Sequence, residues 1–162
     1  MDKNILRNYA NFLEDLKFED LALLDQQLSN DVHFRDPFND CVGIDGFRDV
    51  LSDMFLHIGS PKFQVDECIF CEKKRIGFLL WTLAGKSKVF NGKDLSIEGV
   101  SRVTFDPTGK VNAHFDYWDP ATSLYEKLPI LGLLLKKIKK KYLPQSHTKR
   151  HVLSELAIRL LI

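Results

Sequence analysis

Apolar positions in the first sixty residues repeat with the period of an α-helix. The first stripe runs through Ile5, Tyr9, Phe12, Leu13 and Leu16. The second comprises Leu21, Leu24 and Leu28, and the third comprises Ile44, Phe47, Leu51, Met54, Phe55 and Ile58. Each stripe gathers its apolar side chains on one side of a helix, and Gly59-Ser60-Pro61 is a typical stop. The sequence therefore predicts three opening helices.

From Lys62 onward the pattern is typical of strands. The predicted strands run from Phe63 to Glu72, Arg75 to Val89, Leu95 to Phe105 and Lys110 to Trp118, with a brief edge segment earlier, from Val32 to Asp36. Turn sequences such as Asp106-Pro107-Thr108-Gly109 separate the later strands. These connections are too short for crossover helices, so we expect an antiparallel sheet. Helices followed by hairpin-connected strands predict an α+β fold with the helices packed on one face of a curved sheet.

Charge divides the chain near Glu126. Residues 1–126 hold 14 Lys+Arg against 21 Asp+Glu, a net charge of −7, whereas residues 127–162 hold 9 against 1, a net of +8. We therefore expect an α+β domain over 1–126 and a basic, amphipathic helical extension over 127–162, which includes a last apolar stripe from Val152 to Leu160.

Composition narrows the protein class. With 162 residues, of which 44% are hydrophobic and 28% charged, the chain has the amino-acid composition of an ordinary soluble domain. No apolar run approaches a bilayer span and the opening residues do not resemble a signal peptide, so we expect a cytoplasmic protein. Cys68 and Cys71 form a C-x-x-C on a predicted strand, where an offset of three separates the sulfurs. No metal site is expected, because no second Cys/His pair lies at suitable spacing.

Several short phrases, in order, resemble the SnoaL-like and ketosteroid-isomerase-like branch of the nuclear transport factor superfamily. They are Phe34-Arg35-Asp36-Pro37-Phe38 with Gly43-Ile44-Asp45-Gly46-Phe47, then Trp81-Thr82-Leu83-Ala84-Gly85, then Gly99-Val100-Ser101-Arg102-Val103 with Gly109-Lys110-Val111, and last Asp116-Tyr117-Trp118-Asp119. The resemblance implies a cone in which three helices close over a strongly bent antiparallel sheet. It also implies a mostly apolar cavity and a homodimer paired through the sheet. For the function we expect no metal or organic cofactor.

The resemblance also suggests site residues. In ketosteroid isomerases an aspartate of an Asp-Pro phrase is the base, and Asp36 matches that position. The groups that hold the enolate there correspond to positions near Phe12, one turn from Tyr9, and near Ser101. SnoaL-like cyclases instead use acidic and histidine groups on the closing strand, where His114 and Asp116 are available.

Strand alternation supports a site on the last strand. His114, Asp116 and Trp118 share one face there. An apolar cavity raises a carboxyl pKa and a nearby imidazolium lowers it, so such groups can serve as acid and base. We therefore predict Asp36, His114 and Asp116 as catalytic residues. The predicted ligand-binding residues are Tyr9, Phe12, Phe34, Met54, Trp81, Ser101 and Trp118.

The same residues also fit purely structural roles, as alternatives to catalysis or binding. Asp36 before Pro37 also fits an Asx turn, and His114 also fits a satisfied, partly buried histidine. Asp116 could instead pair with Arg102 across neighbouring strands. Asp119 fits a helix N-cap better than a catalyst.

Two classes of function follow. The first is binding of a small, largely apolar metabolite, with proton-transfer chemistry of the isomerase, cyclase or hydrolase type. The second is a non-catalytic protein that assembles as a dimer or associates with a membrane. Residues 130–143 combine apolar and lysine positions and fit either contact with anionic lipid or packing on the body or on a dimer partner. Nucleic acid is not expected, because no aromatic stacking platform accompanies the basic run.

Overall fold

The computed structural model describes residues 4–142. The predicted apolar stripe from Val152 to Leu160 and the end of the 130–143 segment lie outside the described residues. The chain divides into two compact units between Ser123 and Leu124.

The first unit contains helices followed by strands. It opens with α1 (Ile5–Asp15), a 3₁₀ helix (Phe18–Leu23), α2 (Leu24–Gln27), β1 (Leu28–Arg35), β2 (Asp40–Val42) and α3 (Ile44–His57). It continues with β3 (Ile58–Cys71), β4 (Ile76–Ser87), β5 (Lys93–Phe105), β6 (Val111–Trp118) and α4 (Pro120–Ser123). The predicted α+β class is confirmed.

The six strands form one mixed sheet in the order β2-β1-β6-β5-β4-β3. All neighbours are antiparallel except β1 and β6, which pair in parallel with Phe34 beside His114. The expectation of an antiparallel sheet is wrong for this one pair. Turn sequences indicate only how consecutive strands pair. The strands β1 and β6 are far apart in the sequence, so no turn between them indicates their direction.

Two local predictions need correction. The second predicted helix is a 3₁₀ helix followed by the four-residue α2, and Leu28 already begins β1. The predicted stop at Gly59-Ser60-Pro61 is part of β3, which starts directly after α3. The three-residue β2 was not predicted, since so short a segment carries little alternation.

Close packing holds α1 against the sheet. A Cβ at Gly77 of β4 would lie 2.5 Å from the Leu6 side chain, so the glycine allows the helix to approach the strand. Tyr9, one turn along from Leu6, is 1% exposed. This approach directs the Tyr9 side chain into the interior of the unit.

The second unit, as far as it is described, contains a 3₁₀ turn (Tyr125–Lys127) and α5 (Pro129–Tyr142). A Cβ at Gly132 would lie 2.3 Å from the Glu126 carbonyl oxygen, so only glycine lets α5 fold back this closely. Lys139 forms an ion pair with Glu126. Within residues 4–142, no helix has both the length and the apolar character needed to cross a bilayer.

Candidate active site

A chain of buried hydrogen bonds runs from α1 to β6. The Tyr9 hydroxyl lies 2.8 Å from Nδ1 of His114, and Nε2 of His114 lies 2.8 Å from Oδ1 of Asp116. Tyr9 and His114 are 1% and 3% exposed. The alternation that predicts a shared face for His114 and Asp116 therefore brings the two side chains into contact.

Neighbouring strands extend this chain sideways. Ser101 of β5 is the cross-strand partner of Asp116, and its hydroxyl donates to Asp116 Oδ1 at 2.5 Å. The Trp81 indole of β4 donates to the Ser101 hydroxyl at 2.7 Å. A Cβ at Gly99 would lie 2.4 Å from the Trp81 ring, so the lack of a side chain at Gly99 leaves room for the indole. We call Tyr9, Trp81, Ser101, His114 and Asp116 the β6 network.

The contacts fit one arrangement of the protons of the network. An ionised Asp116 carboxylate only accepts, so His114 must carry its proton on Nε2, which faces that carboxylate. In neutral imidazole Nδ1 is then an acceptor, and the Tyr9 hydroxyl donates to it. Ser101 accepts from Trp81 and donates to Asp116. Its hydroxyl oxygen also lies 3.1 Å from Nε2 of His114, so the Nε2 proton is shared between Ser101 and Asp116. Every member of the network thus has a role that agrees with its neighbours.

Asp116 is the member of this network that reaches solvent. Its side chain is 18% exposed, compared with 4% for His114. Oδ1 accepts from His114 and Ser101, whereas Oδ2 takes no hydrogen bond from any residue within 4–142. One oxygen is therefore anchored and the other is available.

Burial also affects the tyrosine. Desolvation, assisted by the negative charge of Asp116, raises the pKa of Tyr9 well above its usual value of 10.0. The Tyr9 hydroxyl consequently stays protonated.

Aromatic rings enclose the imidazole. The centroids of Tyr9, Phe34 and Phe47 lie 5.7, 5.7 and 5.5 Å from that of His114. Phe34 also stacks on Phe47 at 4.4 Å. The sequence did not single out Phe47, although its place in the apolar stripe of α3 was a usable signal.

The remaining predicted ligand-binding residues lie around this core. Phe12 stacks on Tyr9 with centroids 6.5 Å apart, and Trp118 meets Phe38 edge to face at 5.3 Å. Phe12, Met54 and Trp118 are all half-buried. Their role in binding stays a prediction.

The structure places Asp36 in a turn at the end of β1. Its Oδ1 accepts from the backbone N–H groups of Phe38 and Asn39 at 2.7 and 2.6 Å, and the Asn39 amide contacts both carboxylate oxygens. This is the Asx turn that the sequence also allowed. No hydrogen bond joins Asp36 to the β6 network within the described chain. A catalytic role for Asp36 stays a prediction.

Two other structural roles are resolved by contacts. Arg102 does not pair with Asp116, because its guanidinium lies over the Phe115 ring at 4.7 Å. Asp119 accepts from the Ala121 backbone N–H at 2.9 Å and from the Thr122 hydroxyl, which is the expected cap at the start of α4.

A surface depression of about 430 Å³ lies elsewhere, where α3 passes into β3. Its walls include Phe18, Phe55, Ile58, Pro61 and Lys88, and no predicted site residue lines it. Among residues 4–142, no group of three His, Cys, Asp or Glu side chains is arranged to hold a metal ion.

Comparison with known families identifies this arrangement of elements. The SnoaL-like domain family matches residues 9–114, from Tyr9 of the network to His114. The chain belongs to the SnoaL-like family. This match confirms the predicted family resemblance. A search of curated proteins returns no match.

Solved structures share the SnoaL-like fold at low identity. TsrD from Streptomyces laurentii is 17% identical, with a TM-score of 0.66, over 80% of this chain and 98% of its own. A candidate SnoaL-like polyketide cyclase from Jannaschia sp. CCS1 is 11% identical, with a TM-score of 0.63, over 74% and 88%. A Catenulispora acidiphila protein with a ketosteroid isomerase-like fold, in complex with trimethylamine, is 10% identical, with a TM-score of 0.63, over 76% and 92%. These likenesses support the α+β cone.

Proposed function

We propose that this SnoaL-like domain binds a small, largely apolar metabolite at the inner face of β6 and that Asp116 acts on it as a general base. The observation that carries the proposal is the asymmetry of the Asp116 carboxylate. Oδ1 is held by His114 and Ser101, and Oδ2 is free within the described chain. An oriented carboxylate at the solvent end of a buried network is suited to proton transfer.

His114 is a positioning residue in this proposal. Both of its ring nitrogens are already engaged, one by Tyr9 and the other by Asp116. The imidazole therefore orients the carboxylate and stabilises its charge, while Tyr9 fixes the tautomer. A bound molecule would meet Asp116 first.

The chemistry is enolisation. Asp116 Oδ2 takes a proton from a carbon next to a carbonyl group, and the electron pair of the C–H bond moves to the carbonyl oxygen as an enolate. Return of the proton to another carbon of the conjugated enolate gives isomerisation. Attack of the enolate carbon on a second carbonyl gives cyclisation, in which the electron pair of that C=O bond moves to its oxygen and the resulting alkoxide takes the proton back from Asp116. The likeness to a candidate polyketide cyclase supports this class.

Deuterium exchange tests the base without knowledge of the natural substrate. We expect the protein to accelerate exchange of the α-hydrogens of 2-tetralone in D₂O, which proton NMR monitors. Asp116→Asn should lower that rate about 10²- to 10⁴-fold, which is the rate enhancement that a positioned base usually contributes. Asp36→Asn is the matched control, because asparagine keeps a side-chain acceptor for the turn. A loss with Asp36→Asn and none with Asp116→Asn would assign the base to Asp36 instead.

The outer face of the sheet favours a second function, assembly as a homodimer. Ile69, Phe78 and Tyr117 are 57%, 41% and 50% exposed. Ile69 pairs with Phe78 across β3 and β4, so these two exposed apolar side chains are adjacent. We propose that a second copy covers this face. Phe78→Glu should convert a dimer to a monomer in light scattering; an unchanged mass would reject this face.

A further inference from the structure

Helix α5 carries an apolar surface that residues 124–142 leave open. Ile130, Leu133, Leu134, Ile138 and Tyr142 are 86%, 67%, 53%, 46% and 77% exposed. Ile130, Leu134 and Ile138 recur every four residues and so follow one line along the helix. Only Gly132 is buried in α5. The amphipathic pattern is therefore real, but its apolar face is not used for packing within residues 124–142.

Lysines flank the same surface. Residues 124–142 contain six lysines and one glutamate, a net charge of 6 − 1 = +5. Lys136, Lys137, Lys140 and Lys141 are all exposed. A second copy of this helix would bring like charges together, whereas an anionic surface would neutralise them.

The length of α5 favours a helix that lies on a bilayer. Fourteen residues extend about 21 Å, which is short of the roughly 30 Å hydrocarbon core of a membrane. A basic helix with one apolar side instead rests in the plane of the lipid headgroups, with its apolar residues in the acyl boundary.

We propose that α5 docks on an anionic lipid surface. Ile130, Leu134 and Ile138 enter the boundary between headgroups and acyl chains, and the lysine side chains reach the lipid phosphates and carboxylates. Because surface charge attracts each nearby lysine, the lysines select anionic membranes, while the apolar residues hold the helix at the interface.

Vesicle co-sedimentation of the full chain tests this proposal. We expect binding to vesicles of phosphatidylcholine mixed with phosphatidylserine, much weaker binding to phosphatidylcholine alone, and loss of binding as salt is raised. Replacing Lys136, Lys137, Lys140 and Lys141 by Gln should weaken binding about 100-fold or more. Glutamine retains helix propensity, so the helix itself should persist in circular dichroism.

A matched variant removes the same charge from the first unit. Lys62, Lys73, Lys74 and Lys93 are exposed there, and their replacement by Gln should leave vesicle binding within about twofold of the parent if α5 is the docking element. Equal loss in both quadruple variants, or equal binding to both vesicle types, would overturn the proposal. Ile130→Ser with Leu134→Ser should also release the protein; a change of oligomeric mass with vesicle binding intact would assign the surface to a second copy.

Discussion

The β6 network and the Asp36 turn hold the same chemical group in opposite ways. In the Asp36 turn, residues only two or three positions away occupy the carboxylate, and both oxygens have partners. In the β6 network, partners from β5 and β6 occupy one oxygen of Asp116 and leave the other open. A carboxylate whose acceptor sites are filled by its own turn stabilises the chain locally. One that is oriented but incompletely bonded can act on something else.

Removing the Ser101 hydroxyl should have the largest effect on stability. Ser101→Ala leaves the buried Trp81 N–H without an acceptor and removes a donor from Asp116. We expect a loss of about 2–3 kcal/mol in the free energy of unfolding, measured by urea denaturation. Ser52→Ala is the control, because that hydroxyl donates only to the Arg48 carbonyl within α3, and it should change stability by less than about 0.5 kcal/mol. Equal losses would mean that the network is no stronger than an ordinary helix contact.

Tyr9→Phe should have an intermediate effect that depends on pH. At neutral pH it leaves His114 Nδ1 without a donor, and we expect a loss of about 1–2 kcal/mol. The raised pKa of Tyr9 adds a second contribution to the free energy of unfolding, which is lost at alkaline pH. Above pH 10 the unfolded tyrosine releases its proton while the folded one retains it, so stability falls as pH rises.

The comparison of parent and variant isolates this component. Other tyrosines and lysines titrate in both proteins, so the difference in unfolding free energy between them reports Tyr9 alone. We expect that difference to shrink between pH 9 and pH 11, as measured by urea denaturation. A difference that stays constant over this range would show that the Tyr9 hydroxyl is not held neutral by burial.

Asp36→Ala should have the smallest effect. It removes the acceptor for the Phe38 and Asn39 backbone N–H groups, which lie near solvent and can bond to water instead. We expect a loss of about 1 kcal/mol and an unchanged rate of 2-tetralone exchange. A larger loss than that of Ser101→Ala would reverse the comparison between the two regions.

Local features of the fold were predictable from the sequence. The apolar stripes predicted α1 and α3, and turn residues separated β3 to β6 in the right order. The Asx turn at Asp36 was an open alternative, since its partners are close in the chain. Sequence reasoning missed some local features, such as the three-residue β2 and the 3₁₀ helix before α2. The largest miss is non-local, the parallel pairing of β1 with β6.

The candidate site was predictable only in part for the same reason. Alternation placed His114 and Asp116 on one face, and the family resemblance drew attention to Ser101 and Tyr9. The pairing of Ser101 with Asp116, in place of Arg102, depends on the register between β5 and β6. A shift of one residue in that register would exchange the two partners, and nothing in the local sequence fixes it.

Nitrogen-15 NMR of His114 tests the central claim most directly. The claim is that Tyr9 and Asp116 hold one neutral tautomer of the imidazole and thereby orient the carboxylate. At neutral pH the spectrum should show a protonated Nε2 and an unprotonated Nδ1, with Tyr9→Phe mixing the tautomers. A proton on Nδ1 in the parent protein, or rapid averaging between the two nitrogens, would contradict this arrangement.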